Sequence, residues 1–238
     1  MRKINIKGTI IPNDYAEIYD WLGFENTSPA KVEKIINEAR SDSNDDIEVY
    51  INSGGGEISS ASEIYSLLRA YEGDVKIKVV GMAASAASII AEAGESEISP
   101  TALYMIHNVR TDAYGVDYND AGNLSDALLA ANKSIINAYI DKTGMESEEL
   151  QELMNQEKYM DAREAVERGF IDKIMDFSKP PQMAADATSG LITEESARTL
   201  RNIMLKNEHS CKNKEHEDDI LIKKATANLR LLNLKKEI

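Results

Sequence analysis

Segments typical of β-strands alternate with segments typical of helices along most of this chain, and this alternation limits the folds open to it. Strand-like apolar patterns cover residues 2–11, 46–52, 75–80, 102–109 and 170–175. Apolar residues at helical spacing occupy most of the stretches between them, over residues 29–39, 58–68, 86–93, 120–143, 146–154 and 161–167. Helical crossovers join strands that run in the same direction. The sequence therefore predicts an α/β class with mostly parallel strand pairing.

Three of the predicted helices carry residues typical of helix ends. Ser28 followed by Pro29 is the pattern of an N-cap serine with proline at the first helical position. Gly144 after the longest predicted helix is typical of a helix stop. Asp161 with Glu164 three residues later resembles a capping box.

Length, charge and cysteine content bound the class of protein. At 238 residues the chain fits one large domain, or one domain with an appendage. Its single cysteine, Cys211, favours a reducing compartment. The N-terminal residues lack the apolar stretch of a signal peptide, and no run approaches the roughly 18 apolar residues of a membrane span. We therefore expect a cytoplasmic protein, and the net charge of −14 argues against nucleic acid or an anionic membrane as a partner.

The composition of the chain changes near residue 178. Residues 180–190 are rich in Pro, Ala, Gly and Ser, and two amphipathic stretches beyond them flank a strongly polar one. A polar segment of that kind buries too little apolar surface to fold by itself. We predict a folded domain over residues 1–178, a linker over residues 179–192, and a C-terminal tail over residues 193–238 that is partly helical or disordered.

Ser85 and His107 are the residues that point most directly to chemistry. Ser85 lies in the small-residue run 81–88, directly after a predicted strand, and His107 ends the next one. A serine hydroxyl becomes a good nucleophile when a neutral imidazole accepts its proton. The carboxyl ends of parallel strands are also where α/β proteins place their sites. The pair indicates base-assisted serine chemistry, although a capping serine and a structural histidine would each give the same local pattern.

A run of three glycines, Gly54 to Gly56, follows another predicted strand and precedes a helix. Glycines permit positive φ and leave backbone N–H groups open, which suits half of an oxyanion hole or a docking edge for a peptide backbone. Phosphate binding is disfavoured because the P-loop lysine pattern is missing and Glu57 would repel phosphate. Taken alone, the glycines also fit a plain strand-to-helix turn.

Together these segments resemble the ClpP family of self-compartmentalising serine peptidases. The family's oxyanion segment is matched by residues 51–56, its nucleophile segment by residues 81–85, and its base segment by residues 105–107. Residues 162–172 match the helix and strand that close the family domain. Order and spacing agree over roughly residues 2–175.

This resemblance assigns a role to each residue of the predicted site. It implies that Ser85 is the nucleophile and that His107 is the general base. It also implies that the backbone N–H groups of Gly56 and Ala86 form the oxyanion hole.

The third catalytic residue of the family is an aspartate, and the resemblance places a different residue at its position. With the aromatic Tyr159 as the register, the acid falls on Glu157, so glutamate replaces aspartate here. Glutamate also orients histidine in some Ser-His-acid sites. Asp161 is the alternative acid.

The resemblance also implies the fold, the assembly and the class of substrate. It predicts repeated β-β-α units of the ClpP/crotonase type, a polypeptide substrate and stacked homo-oligomeric rings, with no metal or organic cofactor. Gly54 stands where the housekeeping enzymes usually have proline, and a long tail follows the domain. In these respects, and in the net negative charge of its predicted domain, the chain is more similar to the phage- or prophage-encoded head-maturation proteases than to the housekeeping enzymes. We therefore expect an ATPase unfoldase, or capsid and scaffold proteins, as partners.

Two alternative functions remain open from the sequence. A crotonase-type acyl-CoA enzyme would share the fold and the paired N–H donors but would not need Ser85 and His107 together. A non-catalytic scaffold protein of virus assembly could use the amphipathic stretches of the tail. A membrane-bound peptidase with a Ser-Lys pair is disfavoured because the sequence shows no anchor segment.

Overall fold

The structure, a computed structural model, describes residues 1–42 and 45–177. Strands and helices alternate along this part of the chain, as the sequence predicts. The strands are β1 (Arg2–Ile10), β2 (Asn26–Thr27), β3 (Ile47–Gly56), β4 (Val75–Ala84), β5 (Glu95–Ile98), β6 (Leu103–Ile106), β7 (Lys158–Met160) and β8 (Lys173–Ile174). The helices are α1 (Asn13–Leu22), α2 (Pro29–Ser41), α3 (Ile58–Arg69), α4 (Ala86–Ala91), α5 (Tyr118–Thr143), α6 (Ser147–Asn155) and α7 (Ala162–Glu167).

The strands form one sheet in the order β2-β1-β3-β4-β5-β8, and every pair along this path is parallel. The long strand β4 carries two shorter strands in succession. Its first part, Lys76 to Val79, pairs with β5, and its last residues, Met82 to Ala84, pair with β6. β7 then pairs antiparallel with β6. This arrangement brings the end of β6 next to the end of β4, where the predicted histidine and serine lie.

The core lies between the sheet and the helices that cross it. On β1, apolar side chains alternate with polar ones, so that Ile4 and Ile6 are buried between exposed neighbours, and Ile10 is buried at the end of the strand. Helices α2 and α3 pack their apolar stripes onto the same core through side chains such as Ile36 and Ile64. The predicted α/β class is confirmed.

The structure corrects several element boundaries. Helix α1 and the short strands β2, β5 and β7 were not predicted from the sequence. The run Gly54 to Gly56 ends strand β3 rather than forming a turn after it. At the start of α2, Ser28 occupies the N-cap position, but its side chain makes no capping hydrogen bond and its Oγ is buried without a partner in the described residues.

The longest helix, α5, differs from the prediction in how much of it is buried. Apolar residues at helical spacing were predicted over residues 120–143, but Leu124 and Leu128 are only half-buried. Burial begins in the second half of the helix, at Asn132 and Ile135. The first half of α5 therefore contributes little to the core of this subunit.

Met1–Asp176 forms one compact unit. The predicted linker over residues 179–192, the predicted tail over residues 193–238 and Cys211 lie outside the described residues.

Candidate active site

Ser85 stands at a sharp turn between β4 and α4. Its backbone has φ 55° and ψ −127°, in the region of positive φ that residues other than glycine rarely adopt. Its N–H donates to the carbonyl oxygen of Met105 on β6 at 3.0 Å. A strained strand-to-helix turn of this kind exposes the serine Oγ at the edge of a sheet. Ser85 is thus presented as an accessible hydroxyl, and its side chain does not cap α4.

His107 follows the last residue of β6 and lies beside Ser85. The register of β4 and β6 pairs Ala84 with Met105, which brings the two strand ends together. His107 Nε2 lies 2.7 Å from Ser85 Oγ, within hydrogen-bonding distance. The two residues singled out by the sequence therefore form a hydrogen-bonded pair.

The environment of His107 favours a neutral imidazole. Only 8% of the side chain is exposed, and burial lowers the pKa of His107 below 6.5. The positive charge of Arg110 lowers this pKa further, while the negative charge of Glu157 acts in the opposite direction. A neutral imidazole is the form that can accept a proton from serine.

The glycines at the end of β3 allow backbone to approach the serine closely. Gly55 has φ 97°, and a Cβ built on it would lie 2.7 Å from Ser85 Cβ and 2.9 Å from Ala86 N. Gly56 has φ 152°, and a Cβ there would lie 2.1 Å from the carbonyl oxygen of Ile10. Side chains at either position would collide with neighbouring atoms, so glycine is required for this packing.

Gly56 and Ala86 both line the pocket that contains the serine. The N–H of Glu57 donates to Ile10 O on β1 at 2.9 Å. Ala86 is the first residue of α4, where an N–H group has no partner within the helix. Gly56 and Ala86 therefore both lie in the pocket of Ser85, and their role as oxyanion donors stays a prediction.

The pocket around Ser85 and His107 is a cavity of about 460 Å³ with a mixed lining. Backbone and polar groups, among them those of Gly54 and Gly56, form part of the lining. Apolar residues from four elements and the segment after β6 form another part: Ile58, Ile89, Met105, Val109, Ile135 and Tyr139. Such a pocket suits a peptide segment that presents an apolar side chain beside the serine.

Glu157, the predicted acid, lies between α6 and β7 with φ 48°. Its charge acts on His107, yet no hydrogen bond joins the two side chains in the described part of the chain. Instead, Glu157 Oε1 lies 3.5 Å from Arg110 Nη1, and 55% of its side chain is exposed. The third catalytic position therefore stays a prediction.

Asp161, the alternative acid, acts as the N-cap of α7. Its Oδ1 accepts hydrogen bonds from the N–H groups of Arg163 and Glu164, both at 2.9 Å. The reciprocal half of the predicted capping box is not formed, because the Glu164 carboxylate contacts Lys158 and Arg168 instead. The position of Asp161 is thus explained by helix capping.

A cluster of amide side chains next to His107 was not predicted from the sequence. Asn132 accepts a hydrogen bond from Val109 N at 2.8 Å and donates one to Asn108 Oδ1 at 3.0 Å. Gln151 also donates to Asn108 Oδ1, and Asn108 donates to Asn155 Oδ1. These bonds tie the segment after the histidine to α5 and α6. The sequence signal was the polar Asn132 at a buried helical position.

Within residues 1–42 and 45–177, no group of three or more His, Cys, Asp or Glu side chains is placed to hold a metal ion. None of the helices found there combines the length and apolar character needed to cross a membrane.

Comparisons with known proteins point in one direction. The family model described as Clp protease matches residues 25–178. The "ATP-dependent Clp protease proteolytic subunit" of Lactococcus lactis subsp. lactis is 32% identical over 139 residues, covering 57% of this chain and 70% of the relative. The protein of the same name from Streptococcus mutans is 32% identical over 139 residues, covering 57% of this chain and 71% of the relative.

A solved structure shares the fold. A ClpP1 mutant from Listeria monocytogenes superposes with a TM-score of 0.62 at 22% sequence identity, covering 74% of this chain and 91% of that one. The predicted architecture of the ClpP type is thereby confirmed for the described domain.

Proposed function

The chain belongs to the Clp protease family, and on that premise we propose that it is a serine endopeptidase whose nucleophile is Ser85 and whose general base is His107. The observation that carries the proposal is the distance of 2.7 Å between His107 Nε2 and Ser85 Oγ. It is supported by the lowered pKa of His107, which keeps the imidazole neutral and ready to accept a proton.

The reaction follows from this geometry in two stages. Ser85 Oγ attacks the carbonyl carbon of the peptide bond while its proton passes to His107 Nε2. The imidazolium then gives this proton to the leaving amine as the C–N bond breaks, which leaves an acyl-enzyme. A water molecule, deprotonated by His107, attacks the acyl carbon, and the proton returns to Ser85 Oγ as the acid product leaves.

The oxyanion of each tetrahedral intermediate would be held by the N–H groups of Gly56 and Ala86. Fixed backbone donors at this place stabilise charge that develops in the transition state, and they do so without reorganisation. Support comes from the close approach of the β3 glycines to Ser85 and from the position of Ala86 at the start of α4.

Glu157 is the proposed third member of the triad. Its carboxylate raises the pKa of His107, as expected of a group that stabilises the imidazolium formed during the reaction. In the described subunit its Oε1 faces Arg110. Catalysis through Glu157 would require its carboxylate to move from Arg110 to the Nδ1 side of His107.

The proposed substrate is a polypeptide, and the proposed working form is a homo-oligomeric ring located in the cytoplasm. The relatives named as ATP-dependent proteolytic subunits support a supply of substrate by an ATPase partner. Maturation of a phage head, with capsid or scaffold proteins as substrates, is the more specific proposal. It is supported by Gly54 and by the long segment after residue 178. The crotonase-type and scaffold alternatives receive no support from the comparisons.

Substitution of Ser85 tests the proposal directly. Ser85→Ala should reduce peptide hydrolysis by roughly 10³-fold or more, because only binding and oxyanion stabilisation remain. A serine-directed phosphonofluoridate should label the unmodified protein at Ser85 and leave the variant unlabelled. Ser59→Ala, at an exposed position of α3, is the matched control and should keep full activity. Hydrolysis by a pure, folded Ser85→Ala sample at the unmodified rate would refute the assignment.

A further inference from the structure

The backbone of Ser85 is held in a conformation that is unfavourable for an L-amino acid, with φ 55° and ψ −127°. Strain of this kind persists only where the surrounding contacts impose it. We therefore expect the contacts made by the Ser85 backbone to hold the nucleophile in place.

The carbonyl oxygen of Ser85 accepts two hydrogen bonds from one residue, Ser88. The N–H of Ser88 donates at 2.9 Å and its Oγ donates at 2.6 Å. The same Oγ lies 2.8 Å from the hydroxyl oxygen of Tyr139 on α5. A serine hydroxyl carries one proton, and Ser88 gives it to Ser85, so the hydroxyl of Tyr139 donates to Ser88 Oγ. A directed chain of hydrogen bonds thus runs from α5 to the backbone of the nucleophile.

This chain is shielded from water. Ser88 and Tyr139 are both buried, and the ring of Tyr139 packs edge-on against Phe170 with ring centroids 5.7 Å apart. Burial also raises the pKa of Tyr139 above its ordinary value, so its hydroxyl keeps the proton that it donates. A buried hydroxyl that loses its hydrogen-bond partner costs free energy of folding. A chain of hydrogen bonds in which every hydroxyl has its partner is correspondingly rigid.

We infer that Ser88 and Tyr139 are positioning residues, which hold the backbone of Ser85 so that its Oγ faces His107. The inference rests on the proposed function, since it concerns the same nucleophile. Neither hydroxyl exchanges a proton with the substrate. Tyr139 also lines the pocket, but the positioning role belongs to its hydroxyl alone.

Tyr139→Phe separates these two roles because it keeps the ring and removes the donor. In the full-length protein, kcat should fall roughly 10-fold or more while KM changes by less than about twofold. The rate at which a phosphonofluoridate labels Ser85 should fall in parallel. The midpoint of the pH profile should stay where it is, because the surroundings of His107 are unchanged.

Tyr71→Phe is the matched control. It also removes a buried tyrosine hydroxyl, one that donates to the carbonyl oxygen of Asp45 at 2.6 Å, away from the serine. Tyr71→Phe should lose thermal stability as Tyr139→Phe does. Its kcat and the rate at which its Ser85 is labelled should stay unchanged. A loss of stability without a loss of kcat in both variants would overturn the inference.

Ser88→Ala provides a second variant and a double-mutant cycle. Because both residues act through one chain, the loss of kcat in Ser88→Ala/Tyr139→Phe should be close to that of the more affected single variant. Losses that multiply would show that the two residues act independently and would overturn the inference. Continued hydrolysis by Ser85→Ala would refute the proposed function itself. An inactive Ser85→Ala beside a fully active Tyr139→Phe and Ser88→Ala would refute only the positioning role.

Discussion

At the scale of single residues, His107 is subject to opposing influences that set the pH at which it can act. Burial and the charge of Arg110 lower its pKa below 6.5, and Glu157 opposes them in part. A base must be neutral, so kcat/KM should rise with pH and reach half of its maximum below pH 6.5. Initial rates measured between about pH 4.5 and 8 would test this. A midpoint above the ordinary histidine value would contradict it.

Arg110→Gln tests the cause of that shift. Removal of the positive charge relieves the repulsion of the imidazolium, so the midpoint of the kcat/KM profile should move to higher pH. Arg163→Gln, which removes the same charge at an exposed position of α7, is the control and should leave the midpoint unchanged. Equal midpoints in all three proteins would show that Arg110 does not act on the base.

Glu157→Gln tests the proposed acid, with an expected loss of turnover of about 10²-fold or more. The midpoint of the pH profile should move to lower pH, because the charge of Arg110 then acts on His107 unopposed. Thermal stability should change little, since an exposed ion pair contributes about 0–1 kcal/mol. Glu149→Gln, at an exposed position of α6, is the control. Full turnover in Glu157→Gln would remove it from the triad.

The sequence was sufficient to find Ser85 and His107, because their residue types and their places after successive strands are both visible in it. The sequence was not sufficient to predict the contacts that shift the pKa of His107 and hold the backbone of Ser85. The pair formed by Arg110 and Glu157, and the hydroxyl chain from Tyr139, join residues that are 47 and 51 positions apart. Contacts of this kind depend on how α5 and the antiparallel pair of β6 and β7 pack, which no local pattern specifies.

At the scale of elements, the start of α7 depends on one side chain. Asp161 accepts hydrogen bonds from two N–H groups that have no partner within the helix. Asp161→Ala should cost about 1 kcal/mol of unfolding free energy, with a smaller effect on turnover than Glu157→Gln. Asp161→Asn keeps an acceptor oxygen and should keep most of the stability. Thermal unfolding and turnover measured for the two variants would show whether Asp161 acts as a helix cap. Loss of turnover in Asp161→Asn, with full turnover in Glu157→Gln, would make Asp161 the acid.

Most of the elements that the sequence did not predict are short strands. They are extended because they pair with neighbouring strands of the sheet. β2 has two residues and β7 has three, so neither is long enough for an alternating pattern to be visible. The extension of β3 through Gly54 to Gly56 has a different cause. Glycine disfavours strands in general, but here the register with β1 and the approach to Ser85 keep the segment extended. Tertiary contacts thus override the local preference.

At the scale of the whole molecule, one part of the described subunit leaves several large side chains open to solvent. The segment after His107 and the first half of α5 expose large side chains, with 82% of Tyr114, 84% of Tyr118 and 52% of Leu129 accessible. Apolar groups exposed together are typical of surfaces that meet another protein. The first half of α5, a helix of 26 residues, has no buried residue, which fits the same interpretation. We therefore expect the subunits of the proposed homo-oligomer to associate through α5 and the segment before it.

Association through this surface predicts a homo-oligomer at micromolar concentration, which sedimentation velocity would detect. Leu129→Asp places a charge where an apolar side chain should be buried between subunits, so it should shift the distribution towards smaller species. Asn123→Asp adds the same charge at an exposed polar position of α5 and should disturb association less. Because the segment that begins after His107 leads directly into α5, loss of association should also lower kcat. A fully active monomer would show that the described subunit needs no partner to complete its site.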